Sequence, residues 1–263
     1  MNTLKIDKMI VELISFHYNL AAQKRLELMT NLVNISRADL LVFCGNTLVN
    51  QHYVNILNEQ IKNTSSFILF EVKNVNESSF LKLNNCLYII ENGIIHNMYT
   101  NQFFATSEEI NNNEPLCERF INELETRRQL TIKNMNCLVL QCGEINIIRN
   151  IQRESNRPIF RHQQRVDLEE RFNNLLKNSH IILNPIHTPM GNQAKMEKRR
   201  EYFSNENRYY FSVSQNGTIK RNGKNKTIPM DSRRLQYSFF NGRSIEERII
   251  EFTKDFQIRQ YCI

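Results

Sequence analysis

The sequence predicts an α/β fold in which helices cover buried sheets, and two patterns carry this prediction. First, short and almost wholly apolar runs recur at 39–44, 137–142 and 180–183. Strands of this kind are covered on both faces. Second, segments with apolar residues at helical spacing lie between such runs, as at 165–178. The alternation of these strands and helices is typical of an α/β domain.

The elements alternate along most of the chain. Strands are predicted at 9–16, 39–44, 66–72, 86–91, 137–142, 180–183 and 208–213, with a last edge strand at 256–262. Asn92-Gly93 predicts a hairpin turn, because Asn-Gly readily adopts the positive φ angles of such turns. Helices are predicted after an Asn19 cap, at about 50–62, 115–130, 165–178 and 192–205, and from a capping box at 244–247. The first helix has an apolar stripe of Leu28, Met29, Leu32, Val33 and Ile35.

Length and charge bound the organisation of the chain. We expect residues 1–263 to form a single domain, because no internal repeat or linker divides them. The stretch 217–234 is rich in Gly, Lys, Asn and Arg, and it is predicted to be a basic surface excursion. The net charge of +7 could attract nucleic acid or another acidic partner. No nucleic-acid-binding motif accompanies that charge, and the favoured interpretation is a solvated helix face followed by a mobile loop.

Several classes of protein are disfavoured. No run of 18 apolar residues predicts a membrane helix, and the polar N-terminus lacks the pattern of a secretory signal, so we expect a cytoplasmic protein. The six cysteines include no CxxC pair, and the six histidines include no i,i+4 pair. No phosphate-binding glycine motif occurs. We therefore expect no metal and no cofactor, and the partner is a small-molecule substrate or ligand.

Reactive side chains follow two of the predicted strands. Cys142 ends one strand, and Gly143 after it allows a turn that exposes the thiol; the alternative is a buried, inert thiol. His187 follows Asn184-Pro-Ile at the end of a neighbouring strand, and it is either a general base for Cys142 or a loop histidine bonded to the backbone. Glu144 is a second candidate base, or else it caps a helix or pairs with Arg149.

Five segments, in order, resemble the nitrilase (carbon–nitrogen hydrolase) superfamily. They are 36–43 (SRADLLVF), 85–93 (NCLYIIENG), 138–142 (LVLQC), 180–185 (HIILNP) and 206–217 (ENRYYFSVSQNG). The resemblance covers residues 5–217 and implies a four-layer αββα sandwich that commonly forms dimers. It also implies a catalytic set of one cysteine, one lysine and one or two glutamates, acting on amides or nitriles.

The match to this catalytic set is incomplete. The cysteine is matched by Cys142, but Gly45 stands where the first glutamate is expected. The lysine is expected near 99–103, at the position that Asn101 occupies, and this segment contains no lysine. Glu108 and Glu109 are candidates for the second glutamate. The substrate pocket is expected to be lined by Gly45, Asn46, Asn101, Gly143, Asn184 and Thr188.

Two functions follow from this pattern. One is a hydrolase in which Cys142 attacks an amide-type substrate and a rearranged base takes the proton. The other is a catalytically degenerate relative that serves as a binding or complex-forming module. Both hypotheses allow a homodimer or a larger complex, and they differ in whether Cys142 and His187 share one site.

Overall fold

The computed structural model describes residues 8–73, 85–96, 100–189, 193–221 and 224–263. Its helices are α1 (Ala22–Ile35), α2 (Gln51–Gln60), α3 (Ser107–Ile110), α4 (Glu114–Thr126), α5 (Val166–Asn178) and α6 (Gln193–Ser204). Its strands are β1 (Ile10–Phe16), β2 (Leu40–Phe43), β3 (Phe67–Val72), β4 (Cys86–Glu91), β5 (Ile94–His96), β6 (Gln129–Ile132), β7 (Met135–Val139), β8 (Ile148–Ile151), β9 (Arg157–Phe160), β10 (Ile181–Ile186), β11 (Tyr209–Ser214), β12 (Thr218–Arg221), β13 (Lys224–Thr227), β14 (Gln236–Phe240), β15 (Arg243–Ser244), β16 (Ile249–Phe252) and β17 (Phe256–Cys262).

Two mixed sheets form the middle of the fold. The first has the order β16-β17-β1-β2-β3-β4-β5, and the second has the order β15-β14-β11-β10-β7-β6. Within the first sheet, β1, β2 and β3 run parallel. Within the second sheet, β7, β10 and β11 run parallel. The sheets meet face to face, where the rings of Phe211 and Tyr261 lie 5.5 Å apart.

Alternation along the strands builds three apolar layers between the sheets and helices. In β10, Ile181 and Leu183 join the cluster between the sheets, whereas Ile182 joins the cluster beneath α4, α5 and α6. Helices α1 and α2 cover the outer face of the first sheet through Met29 and Val54, among others. The fold is therefore the predicted four-layer αββα sandwich.

The first helix differs from the prediction at both ends. It begins at Ala22 with Ala21 at the N-cap, so Asn19 does not cap it. Arg25 donates to the carbonyl oxygens of His17 and Tyr18 at 3.2 Å, which holds the preceding segment outside the helix. Ile35 is 74% exposed, because two residues of helix turn it about 200° from buried Val33.

The C-terminal segment departs most from the prediction. The capping box at 244–247 starts no helix; instead, the Ile245 amide donates to the Ser238 carbonyl at 3.1 Å, beside β14. Strand β17 pairs with both β1 and β16, so it is not an edge strand. The edge is β16, whose large apolar side chains Ile249, Ile250 and Phe252 are exposed.

The basic stretch at 217–234 is a partly folded excursion. It contains the β12–β13 hairpin, and residues 222 and 223 lie outside the described part. Ile228, Met230 and Leu235 form a small buried cluster beneath it. Among the described residues, no helix is long and apolar enough to cross a membrane.

Candidate functional site

The candidate site lies at the carboxyl ends of parallel strands from both sheets. Glu71 is next to last in β3, and Gly45 follows β2 in the same sheet. Cys142 follows β7, and His187 follows β10 in the other sheet. The Gly45 amide donates to the Ile186 carbonyl at 3.0 Å and so joins the two sheets at this edge.

The structure brings Cys142 and His187 together. The His187 backbone amide donates to the Cys142 Sγ at 3.4 Å. Cys142 is half-buried, and the His187 side chain is 19% exposed, so the pair is reachable from solvent. Cys142 opens a two-turn 3-10 segment, Cys142–Ile147, rather than ending the preceding strand.

A third residue, Glu71, orients the imidazole. His187 Nε2 lies 2.6 Å from Glu71 Oε2, and Glu71 is fully buried. An ionised carboxylate only accepts hydrogen bonds, so Nε2 carries a hydrogen and Nδ1 is the second ring nitrogen that can carry a proton. Asn85 Nδ2 lies farther from Nε2, at 3.3 Å. The Cys142 thiol, the His187 imidazole and the Glu71 carboxylate thus follow one another in the order of a hydrolytic triad.

The charge on this triad favours the protonated imidazole. Burial lowers the pKa of His187, but the Glu71 carboxylate and the hydrogen bonds to Cys142 and Glu71 outweigh it. Together they raise the pKa of His187 to about 11. The imidazole therefore holds a proton readily at neutral pH, which is the state a base reaches after it takes the thiol proton.

This raised pKa predicts a pH-dependent contribution to stability. A histidine with a higher pKa in the folded state stabilises the fold fully below its unfolded pKa of about 6.5, and it loses that contribution as pH rises towards 11. The loss of unfolding free energy in His187→Gln should therefore be larger at pH 6 than at pH 9 in urea denaturation. In a Glu71→Gln background, the loss of unfolding free energy caused by His187→Gln should differ less between pH 6 and pH 9. An equal loss at both pH values in the wild-type background would contradict the raised pKa.

Glu144 has a structural position instead of facing the thiol. It is fully buried and pairs with fully buried Arg128, with Arg128 Nη1 3.0 Å from Glu144 Oε2. It also accepts from the amides of Gln141 at 2.7 Å and Phe103 at 2.9 Å. Burial raises the pKa of Glu144, and Arg128 opposes that shift. Glu144 thus caps the turn that carries Cys142, with Arg128 rather than Arg149 as its cationic partner.

Gln141 connects this ion pair to the triad. Its Oε1 accepts from Arg128 Nη2 at 2.7 Å, and its Nε2 donates to Glu71 Oε1 at 2.7 Å. Glu71 Oε2 also accepts from the Asn46 amide at 2.6 Å. Both oxygens of the Glu71 carboxylate therefore accept hydrogen bonds. Oε1 accepts from Gln141, the residue that precedes Cys142.

The other predicted site residues fall into two groups. Glu109 closes a capping box with Thr106 at the start of α3, and Glu108 is exposed beside Ser107. No described contact joins either glutamate to Cys142 or His187. Asn101, Asn184 and Thr188 lie nearer the strand ends.

These three residues have distinct contacts. Asn101 Oδ1 accepts from Cys86 Sγ at 2.7 Å, and its carbonyl accepts from Arg128. Asn184 Nδ2 donates to the Leu140 carbonyl at 2.7 Å, and its Oδ1 accepts from the Tyr210 hydroxyl, so it fixes the ends of β7 and β10. Thr188 lies against Gly217. In the segment where a lysine was expected, residues 97–99 lie outside the described part.

Two glycines are required by close approach. A Cβ added at Gly45 would overlap His187 Cδ2 and lie 2.8 Å from the Ile186 carbonyl carbon. The glycine at the expected glutamate position therefore leaves room for the imidazole. A Cβ at Gly143 would overlap the Ala105 carbonyl group. Gly143 is thus needed for packing against Ala105, since it is not among the residues with positive φ.

Sequence reasoning missed Glu71, Gln141 and Arg128. Glu71 had one signal, because it is a single acidic residue inside the otherwise apolar run FILFEV. A carboxylate at such a place is buried and needs partners. No pattern linked it to His187, which lies 116 residues later.

No protein-family model matches the sequence. No curated protein matches it significantly either. Solved structures do match it in fold. They include a glutamine-dependent NAD(+) synthetase from Cytophaga hutchinsonii (TM-score 0.56, 11% identity), which covers 97% of this chain, whereas this chain spans only 43% of the synthetase.

Two further matches cover most of both chains. The CN-hydrolase superfamily protein XC1258 from Xanthomonas campestris has a TM-score of 0.55 and 10% identity, over 97% of this chain and 90% of that one. A mutant of the amidase from Nesterenkonia sp. AN1 in complex with butyramide has a TM-score of 0.55 and 8% identity, over 96% and 90%. The chain therefore has the nitrilase, or carbon–nitrogen hydrolase, fold.

Proposed function

We propose that this protein is a cysteine-dependent hydrolase or acyl transferase acting on a carbon–nitrogen bond. The observation that carries the proposal is the position of His187 between the Glu71 carboxylate at 2.6 Å and the Cys142 thiol. A thiol needs a base or a stabilising cation to act as a nucleophile, and the imidazole supplies both. The histidine replaces the glutamate and lysine that the family resemblance implies.

The geometry supports a two-step mechanism. In the resting site the Cys142 proton is held by His187 as an imidazolium, and the thiolate attacks the amide carbonyl to form a C–S bond. The C–N bond then breaks, and the imidazolium gives its proton to the leaving amine. In hydrolysis, His187 deprotonates a water that attacks the thioester and releases Cys142; in transfer, a second amine takes the place of water. Glu71 stays ionised and holds the imidazole throughout.

One protein with this fold has been observed with a covalent adduct on its active site cysteine. A mutant of the Nesterenkonia amidase carries the acetamide moiety of fluoroacetamide at its active site cysteine. That similarity, at 10% identity and a TM-score of 0.52, supports the choice of small amides and haloacetamides as probes of this chain.

Selective alkylation tests the proposal. We expect iodoacetamide at pH 7 to label Cys142 at least about 100-fold faster than the other five cysteines, with the rates read by peptide mass spectrometry. His187→Gln should lower the Cys142 rate about 10²–10⁴-fold, because the base and the counter-charge are both lost. Turnover of short-chain amides should fall in parallel and vanish in Cys142→Ser.

Cys262 provides a matched control, because it is the other half-buried thiol. Cys262→Ser should change neither the labelling rate of Cys142 nor amide turnover. Equal labelling of Cys142 and Cys262 in the wild type would rule the triad out.

A complex-forming module is the second candidate, and the open edge of β16 favours it. Ile249, Ile250 and Phe252 are 46–56% exposed on that strand, beside unpaired backbone groups. An inert Cys142 would make this the better hypothesis. A homodimer built on that edge is compatible with either function.

A further inference from the structure

Three arginines gather around the turn that follows Cys142. Arg161 Nε donates to the Asn146 carbonyl at 2.7 Å, and Arg199 Nη1 donates to Asn146 Oδ1 at 2.7 Å. Arg199 Nε also donates to Asn150 Oδ1 at 2.8 Å. Arg149 lies close enough for its charge to act on Arg161. One asparagine therefore holds two guanidinium groups in place.

The positive charge of this cluster is poorly neutralised. The acceptors of Arg161 and Arg199 are neutral, and among the described residues neither arginine forms an ion pair within 4 Å. Burial, followed by the charge of Arg161, lowers the pKa of Arg199 to about 10, and Arg199 is only 8% exposed. Among the described residues, exposed Glu108 is the acid that opposes the charge of Arg161.

Seven of the other described arginines have an acidic partner within 4 Å, whereas buried Arg25 and Arg200, like Arg199, have none. Arg128 pairs with Glu144, Arg171 with Glu125, and Arg259 with Glu247. A buried cation without an anion is costly. An anionic ligand would remove that cost at the cluster, since a guanidinium presents paired donors to a carboxylate or a phosphate.

The cluster adjoins the nucleophile. Asn146 is four residues beyond Cys142 in the same 3-10 segment, or about 8 Å along its axis. Asn146 Nδ2 donates to the Ala105 carbonyl at 3.4 Å, the group that packs against Gly143. A substrate of a few carbon atoms can span that distance.

We propose that Arg149, Arg161 and Arg199 bind an anionic group, a carboxylate or a phosphate, on the substrate whose amide Cys142 attacks. This inference rests on the proposed function, and it names the substrate class: small amides that carry a negative charge a few bonds from the reacting carbonyl. The arginines act as binding residues for specificity, while the triad carries the chemistry.

Two alkylating agents of nearly equal size test the inference. In both reactions the Cys142 thiolate forms a C–S bond and iodide leaves; iodoacetate carries a charge, and iodoacetamide does not. We expect Arg149→Gln/Arg161→Gln to lower the iodoacetate rate at Cys142 about tenfold and to leave the iodoacetamide rate unchanged. Arg171→Gln is the matched control, because Arg171 is already paired with Glu125, and it should leave both rates unchanged. Melting curves confirm that each variant is folded.

The outcomes separate the two proposals. Slow labelling by both agents in the wild type refutes the triad. Fast labelling with the same ratio of rates in the wild type and the double variant overturns the anion site. Calorimetric titration with inorganic phosphate and with succinate gives a second readout that needs no reactive thiol: tighter binding of one identifies the anion, and affinity unaltered in the double variant overturns the inference.

If the double variant does not fold, Arg149→Gln alone serves, because Arg149 is exposed and, within the described part of the chain, its side chain donates only to Gln163. A smaller fall in the iodoacetate rate, with an unchanged iodoacetamide rate, supports the inference, and no change in either rate overturns it.

Discussion

Arg128→Met is expected to lower the free energy of unfolding by about 3–5 kcal/mol, because it leaves the Glu144 carboxylate buried without its cation. Arg128 and Glu144 are both fully buried, so water cannot replace the lost partner. The variant also removes the hydrogen bonds that Arg128 donates to Gln141 Oε1 and to the Thr100 hydroxyl. Urea denaturation followed by circular dichroism measures the change.

Two variants check the physical cause. Arg171→Met breaks an ion pair that is about a third exposed, so it should cost no more than about 1 kcal/mol. Arg128→Met/Glu144→Gln should be less unstable than Arg128→Met alone, since the uncompensated charge is gone. A double variant no better than the single one would assign the loss to packing rather than to charge.

Gly45→Ala is expected to reduce alkylation of Cys142 about 100-fold, because the added methyl group occupies the space of the imidazole. His187 Cδ2 would have to move, and so would the backbone at Ile186, which the Gly45 amide holds by a hydrogen bond of 3.0 Å. A displacement of about 1 Å in a catalytic group can cost that much rate. The iodoacetamide rate at Cys142 measures the effect.

Gly217→Ala is the matched control, because Gly217 lies at the same edge of the molecule. A Cβ there would meet Thr188 Cγ2 at 3.5 Å, an ordinary van der Waals contact. In Gly217→Ala, iodoacetamide should label Cys142 at the wild-type rate. A Gly45→Ala protein that labels at the wild-type rate would show that His187 does not need its present position.

The proximity of Cys142 and His187 could be predicted from their positions at the ends of two strands. Cys142 and His187 follow adjacent parallel strands, β7 and β10, and parallel strands deliver their carboxyl ends to one edge. An α/β domain with helices covering its sheets was predictable from the apolar strands and the helices between them, because local sequence encodes that periodicity directly. The four-layer sandwich was implied by the family resemblance.

The hydrogen-bond and ion-pair partners of the site residues were not predictable in the same way. Glu144 lies two residues from Cys142, which made it a candidate base, but Arg128 at the end of α4 draws its carboxylate into the interior. Glu71 comes from the opposite sheet, so its pairing with His187 exists only after the sheets have packed. Contacts between distant segments leave no spacing rule in the sequence.

The C-terminal error has a related cause. The motif at 244–247 satisfies the local requirements of a helix start, yet β14 offers the same backbone a partner. Glu247 instead forms ion pairs with Arg259 and Arg233, whose Nη1 and Nη2 atoms lie 3.0 and 3.3 Å from Glu247 Oε1. Tertiary pairing outweighed a local signal of about 1 kcal/mol.

The division of the reactive residues between two sheets has a consequence for the newly made chain. The sulfur and the ring are carried by one half of the sandwich and the carboxylate by the other, with the Gln141 amide bridging them. A chain in which only one sheet has formed has no oriented imidazole, so its thiol stays as unreactive as any free cysteine. Under the proposed mechanism, activation of Cys142 therefore requires both sheets to have formed and packed together.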